Sequence, residues 1–209
     1  LGGDLDEGET VTCRATPHDG HEEGTPAEVS AQLNNRPTVS PALDENPVTT
    51  VGTLTCTPNG SDSDSDQLSF AYEWKDNAGT VFTSDTGDSS TIEISHWSGD
   101  LTDGETVTCS VTANDGLEDG PTAEVSGQVN NRPTASPTLD KAVVATNSTL
   151  TCTPNGSDSD ADSLTYTYEW LEGTGAVFAN DTGDTSTIDI SNYFDTDLDD
   201  GETLTCRVT

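Results

Sequence analysis

Apolar and polar residues alternate along this chain in short runs with a period of two. In Leu68-Ser69-Phe70-Ala71-Tyr72-Glu73-Trp74 the Leu, Phe, Tyr and Trp fall on one face. Thr91-Ile92-Glu93-Ile94 and Val107-Thr108-Cys109-Ser110-Val111 show the same alternation. This is the period of a half-buried strand. Gly, Asp and Asn clusters separate the runs and supply turns. No stretch sustains a helical period. About seven strands fit between residues 34 and 129, near 37–43, 50–57, 67–75, 80–84, 90–95, 105–113 and 122–129. That number and spacing predict an all-β fold, an antiparallel sandwich.

The pattern recurs. The string NNRPT stands at Asn34–Thr38 and again at Asn130–Thr134, a period of 96. LTCTPNGSDSD stands at Leu54–Asp64 and Leu150–Asp160, and YEW at Tyr72–Trp74 and Tyr168–Trp170. TVTC occurs at Thr10–Cys13 and Thr106–Cys109, and TLTC follows one residue late at Thr203–Cys206. Repeats of this kind stack neighbour on neighbour. Residues 1–33 read as the last two strands of one repeat, 34–129 as a complete repeat, and 130–209 as a repeat lacking its last strand. The expectation is a window onto a longer polymer of covalently linked domains. The alternative is a subunit whose last strand comes from a neighbouring copy.

Cysteine follows the repeat. Cys56 and Cys152 lie on the second strand of their copies, Cys109 and Cys206 on the sixth. Regular pairs in a repeat with so few apolar residues predict disulfides Cys56–Cys109 and Cys152–Cys206 and an oxidising compartment. Cys13 is equivalent to Cys109, so its partner is expected upstream of this chain.

Cys56, Trp74 and Cys109, on the second, third and sixth strands, resemble the immunoglobulin pattern. Asp103 and Asp200 stand six residues before the second Cys, as that pattern has them. The Tyr two before that Cys is replaced by Val107 and Leu204, so the tyrosine corner is lost. The strings GSDSDSDQLSFAYEW and GSDSDADSLTYTYEW are similar to bacterial and archaeal repeats of the polycystic-kidney-disease and cadherin-like type. The resemblance implies tandem immunoglobulin-like antiparallel β-sandwiches from a large secreted surface protein.

Charge then restricts function. The 209 residues hold 39 Asp or Glu and 6 Lys or Arg, a formal net charge of −33. No basic surface can be assembled to displace phosphate counterions, which excludes nucleic acid. An anionic membrane surface is disfavoured for the same reason. No apolar run approaches the roughly 20 residues needed to span a bilayer. His18, His21 and His96 have no His at the equivalent positions. His18-Asp19-Gly20-His21-Glu22-Glu23 therefore reads as a solvated acidic loop rather than a transition-metal site. Hydrolase, zincin and phosphate-loop motifs are missing, so no enzyme is expected.

The acids recur where loops should meet. Asp62, Asp64 and Asp66, and then Asp158, Asp160 and Asp162, alternate between the second and third strands. Asn114, Asp115, Glu118 and Asp119 lie between the sixth and seventh. In an immunoglobulin-type sandwich both loops lie at one end, which the linkers Asn34-Asn35 and Asn130-Asn131 also reach. Repeat 34–129 has 17 acidic and 2 basic residues, and carboxylates gathered at one pole repel unless screened. Hard oxygen ligands in such numbers suit Ca2+, which takes about 6–8. Gln67 in place of the required Gly, and flanking strands, argue against an EF-hand. A solvated turn and a general adaptation to high salt remain alternatives. Arg36 and Arg132 sit in the linker where an acidic ligand would be useful, a departure from the cadherin pattern, and stand ready to pair with a neighbouring domain's carboxylates.

Asn59, Asn147, Asn155 and Asn180 are glycosylation sequons, and Asn59 and Asn155 are equivalent. The picture is an extracellular or cell-surface, non-enzymatic repeat protein, a fibre, stalk or surface filament. Its partners are neighbouring repeats or copies of itself. The rival is an adhesin that binds glycan or protein through its end loops. Trp97, with its counterpart Tyr193 and the following Phe194, is the aromatic candidate for such a surface; the alternative for these rings is packing under the sandwich.

Overall fold

A computed structural model describes residues 4–99, 101–193, 197–199 and 201–209. They form two compact units, Leu1–Asn130 and Asn131–Thr209. The first unit opens with an antiparallel hairpin, β1 (Thr10–Ala15) against β2 (Ala27–Gln32). Seven strands follow: β3 (Ala42–Leu43), β4 (Thr53–Thr57), β5 (Ser69–Lys75), β6 (Val81–Thr86), β7 (Ser90–Glu93), β8 (Thr106–Asn114) and β9 (Ala123–Gln128). One sheet has the order β3-β4-β7 and the other β6-β5-β8-β9, all pairs antiparallel. This is the immunoglobulin-like sandwich, with the second strand in one sheet and the third and sixth in the other.

The alternation that predicts the strands also builds the core. Val107, Cys109, Val111 and Ala113 point inward from β8, and Tyr72 and Trp74 from β5. They meet Leu54 and Cys56 of β4, Ile92 of β7, and Val48 and Val129. Burial of each large apolar side chain is worth about 1.5–3 kcal/mol. Trp74 is fully buried, so its indole N–H needs an acceptor. It finds Ser90 Oγ at 2.9 Å, and Trp170 finds Ser186 at 2.9 Å. Those two serines, buried on the opposite sheet, are core residues that alternation alone does not single out.

The first predicted strand is the one that departs most. Only a bridge at Thr38 to Ser61 and the two residues of β3 pair in it. Pro37, Pro41 and Pro47 remove ladder donors along this stretch. After the cis Asn46–Pro47 peptide the chain leaves β4, and Val48 pairs in parallel with Val129. The fifth strand is cut short by a 3-10 turn, Ile94–Trp97.

The second unit repeats these elements. They are β10 (Thr134–Ala135), β11 (Thr138–Leu139), β12 (Thr149–Thr153), β13 (Gly156–Ser157), β14 (Thr167–Leu171), β15 (Val177–Thr182), β16 (Ser186–Asp189) and β17 (Thr205–Val208). The sheet orders are β11-β12-β16 and β15-β14-β17, with a small β10-β13 pair. Leu150, Cys152, Tyr168, Trp170, Ile188, Ile190 and Leu198 form its core. Asp200 and Phe194 lie outside the described residues.

A disulfide crosses each sandwich. Cys56–Cys109 closes a separation of 53 residues and Cys152–Cys206 one of 54. Cys13 is unbridged and exposed on β1. Cross-linking a loop of this length stabilises by about 4 kcal/mol in the chain-entropy model, a large part of a typical domain's 5–15 kcal/mol. Replacing Cys56 and Cys109 together by Ala is therefore expected to lower the melting temperature of the first unit by roughly 15–30 °C. Calorimetry of the variant beside the parent chain measures this, and a change of only a few degrees contradicts it.

Candidate functional site: the linker pole

The linker enters the complete repeat between two loops, and each side chain there is held by its neighbours. In the loop between β4 and β5, Asp62 Oδ1 accepts the backbone N–H of Asp64 at 2.8 Å and of Asp66 at 3.2 Å. The loop thus winds round one carboxylate and puts Ser65 at φ 67°. The second unit repeats this: Asp158 accepts from Asp160 and Asp162, and Ala161 has φ 63°. Left-handed backbone costs a non-glycine residue about 1–2 kcal/mol, so the winding recurs despite local strain. Each triad, Asp62/Asp64/Asp66 and Asp158/Asp160/Asp162, brings carboxylate oxygens within 4.8 Å of one another.

The linker asparagines dock onto these acids. Asn35 donates its backbone N–H to Asp64 Oδ2 at 2.7 Å and its amide to Oδ1 at 2.9 Å. Asn131 donates the same pair to Asp160, at 2.7 and 2.8 Å. Asn34 Nδ2 donates to Asp115 Oδ2 at 2.7 Å. Asp115 Oδ1 closes its own loop by accepting from Leu117 and Glu118, both at 2.7 Å. Asn114 donates to Asp119 at 2.8 Å. Asn130 donates its backbone N–H to Val48 at 2.8 Å. Gly120 admits the linker: any Cβ there would collide with the Pro37 carbonyl.

In the first unit the predicted loop and linker ligands therefore fall into two sets. Asp62, Asp64, Asp66 and Asn35 form one, and Asn34, Asn114, Asp115 and Asp119 the other. Asp158, Asp160, Asp162 and Asn131 repeat the first set in the second unit. Most of their oxygens already accept N–H donors. Asp62 Oδ2 is different, because it is buried with no hydrogen-bond partner among the described residues. An anionic oxygen in that position suits a hard cation. The triad's donor set fits Ca2+ in chemistry, and Asp62 Oδ2 is its most demanding member.

Arg36, the cation of the linker, pairs with Glu7 of the preceding hairpin through Nε, and its backbone N–H reaches the same carboxylate at 3.4 Å. Glu7's hydrogen bond and charge raise the guanidinium pKa further.

The other candidates lie elsewhere. His18 Nδ1 accepts from Gly20, and Asp19 accepts from His21 and Glu22, all on an exposed loop. Asn59 and Asn155 adopt φ 46° and 45°, which Asn tolerates, and tie their amides to the Ser40 and Ser136 carbonyls. Asn147 and Asn180 are exposed. Trp97 does not project from a loop tip. It is half-buried against Phe82, ring centroids 4.9 Å apart, and Tyr193 lies 5.1 Å from Phe178. No helix of the described residues is long and apolar enough to cross a membrane.

No protein-family model matches the chain, and no curated protein does. Among solved structures the chain is similar to domains d3–d4 of the rat CD45 extracellular region, at 11% identity and TM-score 0.39 over 61% of this chain and 67% of that one. It is similar to a two-domain fibronectin type III segment of chicken tenascin, at 11% identity and TM-score 0.34 over 83% and 90%. It is also similar to a 1.5-MDa bacterial ice-binding adhesin, at 20% identity and TM-score 0.41 over 75% of this chain but only 55% of that one.

Asp115, only 6% exposed, gives the pole a pH dependence. The Asn34 amide, then the Glu118 and Leu117 N–H groups, hold its carboxyl below the ordinary carboxylate range. A lowered folded-state pKa contributes stability above the unfolded value near 3.8, and that stability is lost as pH falls through the folded value. The stability difference between the parent chain and Asp115→Ala is expected to be constant above pH 5 and to shrink below about pH 4. Urea titrations at several pH values give the difference directly, and one that grows in acid contradicts the assignment.

Proposed function

We propose that this chain is a structural repeat segment of an extracellular fibre, stalk or surface filament, built from sandwiches joined end to end. The observation that carries the reading is that the linker is held by the repeat it enters: Asn35 on Asp64 in one copy, Asn131 on Asp160 in the next. A flexible tether has no use for such bonds, whereas a rod needs them. The residues of the joint recur in the sequence as Glu7, Asn34, Asn35 and Arg36 and then as Asp103, Asn130, Asn131 and Arg132. Disulfides and the resemblance to polycystic-kidney-disease and cadherin-like repeats support a secreted, surface-attached setting. Packing of Trp97 and Tyr193 against strand aromatics supports the fibre reading over an adhesin that binds through these rings.

In this proposal Ca2+ is held by the Asp62/Asp64/Asp66 and Asp158/Asp160/Asp162 triads and stiffens the pole. Extracellular Ca2+ sites have dissociation constants of about 0.1–1 mM. Millimolar Ca2+ at low salt is then expected to raise the melting temperature by several degrees over the EDTA-treated chain. Calorimetry with NaCl or Mg2+ at matched ionic strength separates binding from screening, and equal curves in Ca2+ and EDTA sink the calcium part.

The disulfide gives a mechanical role a definite signature. Each bond bypasses 53 or 54 residues of a 96-residue period. Force-unfolding of an oxidised repeat then releases only about 40 residues, roughly 140 Å at 3.3–3.6 Å each. Reduction should add roughly 180 Å more per repeat. Single-molecule stretching reads both, and an extension indifferent to reductant contradicts load-bearing through the bond.

A further inference from the structure

In the first unit the linker has two sides with different bonding. Toward the repeat it enters, Asn34, Asn35 and Thr38 make charge-assisted or paired backbone bonds to Asp115, Asp64 and Ser61, and Pro37 packs on Gly120. Toward the preceding repeat, the turn between Asp6 and Glu9 packs Gly8 beside the Asn35 side chain and offers Glu7 to Arg36. Leu5, Glu7, Leu33, Arg36 and Glu118 line a groove of about 430 Å³ there, open to solvent. The Arg36 and Glu7 side chains are 54% and 44% exposed.

We propose that Arg36 is a clasp that closes the joint between successive repeats, and that its ion pair with Glu7, being open to solvent, makes the stiffness of the joint depend on ionic strength. The linker is already latched to the repeat ahead, so the remaining freedom lies between the latched linker and the turn behind it. Arg36 is the side chain that bridges those two. Its charge is permanent, so at neutral pH salt is the variable. The Debye length falls from about 10 Å at 0.1 M to about 3 Å at 1 M. An exposed pair contributes little, about fivefold at most in the ratio of closed to open forms. Such a ratio still decides whether a many-jointed chain is straight or bent. The inference rests on the tandem-repeat reading only for its purpose; the clasp itself is independent of calcium.

The test uses the whole chain. Cys13 on β1 takes one nitroxide, and a Ser84→Cys substitution on β6 takes the second. Pulsed dipolar distances are then measured in EDTA at 20 mM and 1 M NaCl. The parent chain is expected to give a narrow distribution at low salt. Its population outside the main peak should grow two- to fivefold at 1 M salt. Arg36→Gln should give the broad distribution at both salts, and the exchanged pair Glu7→Arg with Arg36→Glu should restore the narrow one. An Arg36→Gln distribution as narrow as the parent's overturns the clasp, as does one that the exchanged pair fails to restore. Narrowing with salt also overturns it, because carboxylate repulsion would then set the joint. A distribution that responds to Ca2+ but not to Arg36→Gln overturns the clasp while leaving the calcium reading standing.

Discussion

Carboxylates in this chain compete for donors, and there are too few cations to satisfy them. The 6 basic residues face 39 acids, so N–H groups do most of the work. Asp62, Asp115 and Asp158 each accept two backbone N–H groups from their own loop. Asp64, Asp160 and Asp115 take the linker amides. Charge-assisted bonds of this kind are about twice as strong as neutral ones. The loops and the linker are thereby shaped round their acids.

The cations are placed by the same scarcity. Arg14 pairs with Glu28, Lys75 with Glu124 at 2.6 Å, and Arg207 with Glu169 at 2.8 Å. By the 96-residue repeat and its one-residue shift, Arg14 and Arg207 are equivalent to Ser110, and Lys75 is equivalent to Leu171. The cation thus moves from the sixth strand to the third in the middle copy, and its place is filled by a buried Ser. One positive charge per copy on this sheet is retained while its strand is not. Exposed pairs contribute about 0–1 kcal/mol each, so their value lies more in opposing the excess of acid on that face than in stabilising the sheet.

Strands and core were legible because alternation is a direct image of burial. Val107, Cys109 and Val111 announced both the strand and its inward face. What failed to show is what tertiary neighbours decide. The first strand breaks where its prolines and a sheet switch intervene, and no local period marks the switch at Val48. Ser90 and Ser186 look like turn residues until Trp74 and Trp170 need an acceptor. At the pole, sequence identified the acids and the asparagines but not their roles. An Asn beside an Asp is equally a carbonyl ligand or an amide donor, and only the geometry of Asn35 against Asp64 decides for the donor. The pairing of Arg36 with Glu7 had a signal, a lone cation in the linker of an acidic chain, though not its partner.

The preformed loop sets how the proposed calcium would act at this pole. In a zinc finger the free energy of metal binding is what folds the chain. Here Asp62 Oδ1 is already satisfied by two backbone N–H groups, and Asp64 by Asn35. The loop is wound and the linker seated by protein donors alone. What remains is one buried oxygen, Asp62 Oδ2, whose demand no donor among the described residues meets. Leaving a charged acceptor unmet costs more than a neutral one, of the order of a few kcal/mol. A cation that met it would add to a preformed loop, tightening a joint that already exists. On the proposed reading the repeat would fold without calcium, and loss of the ion would soften the joint without unfolding the sandwich.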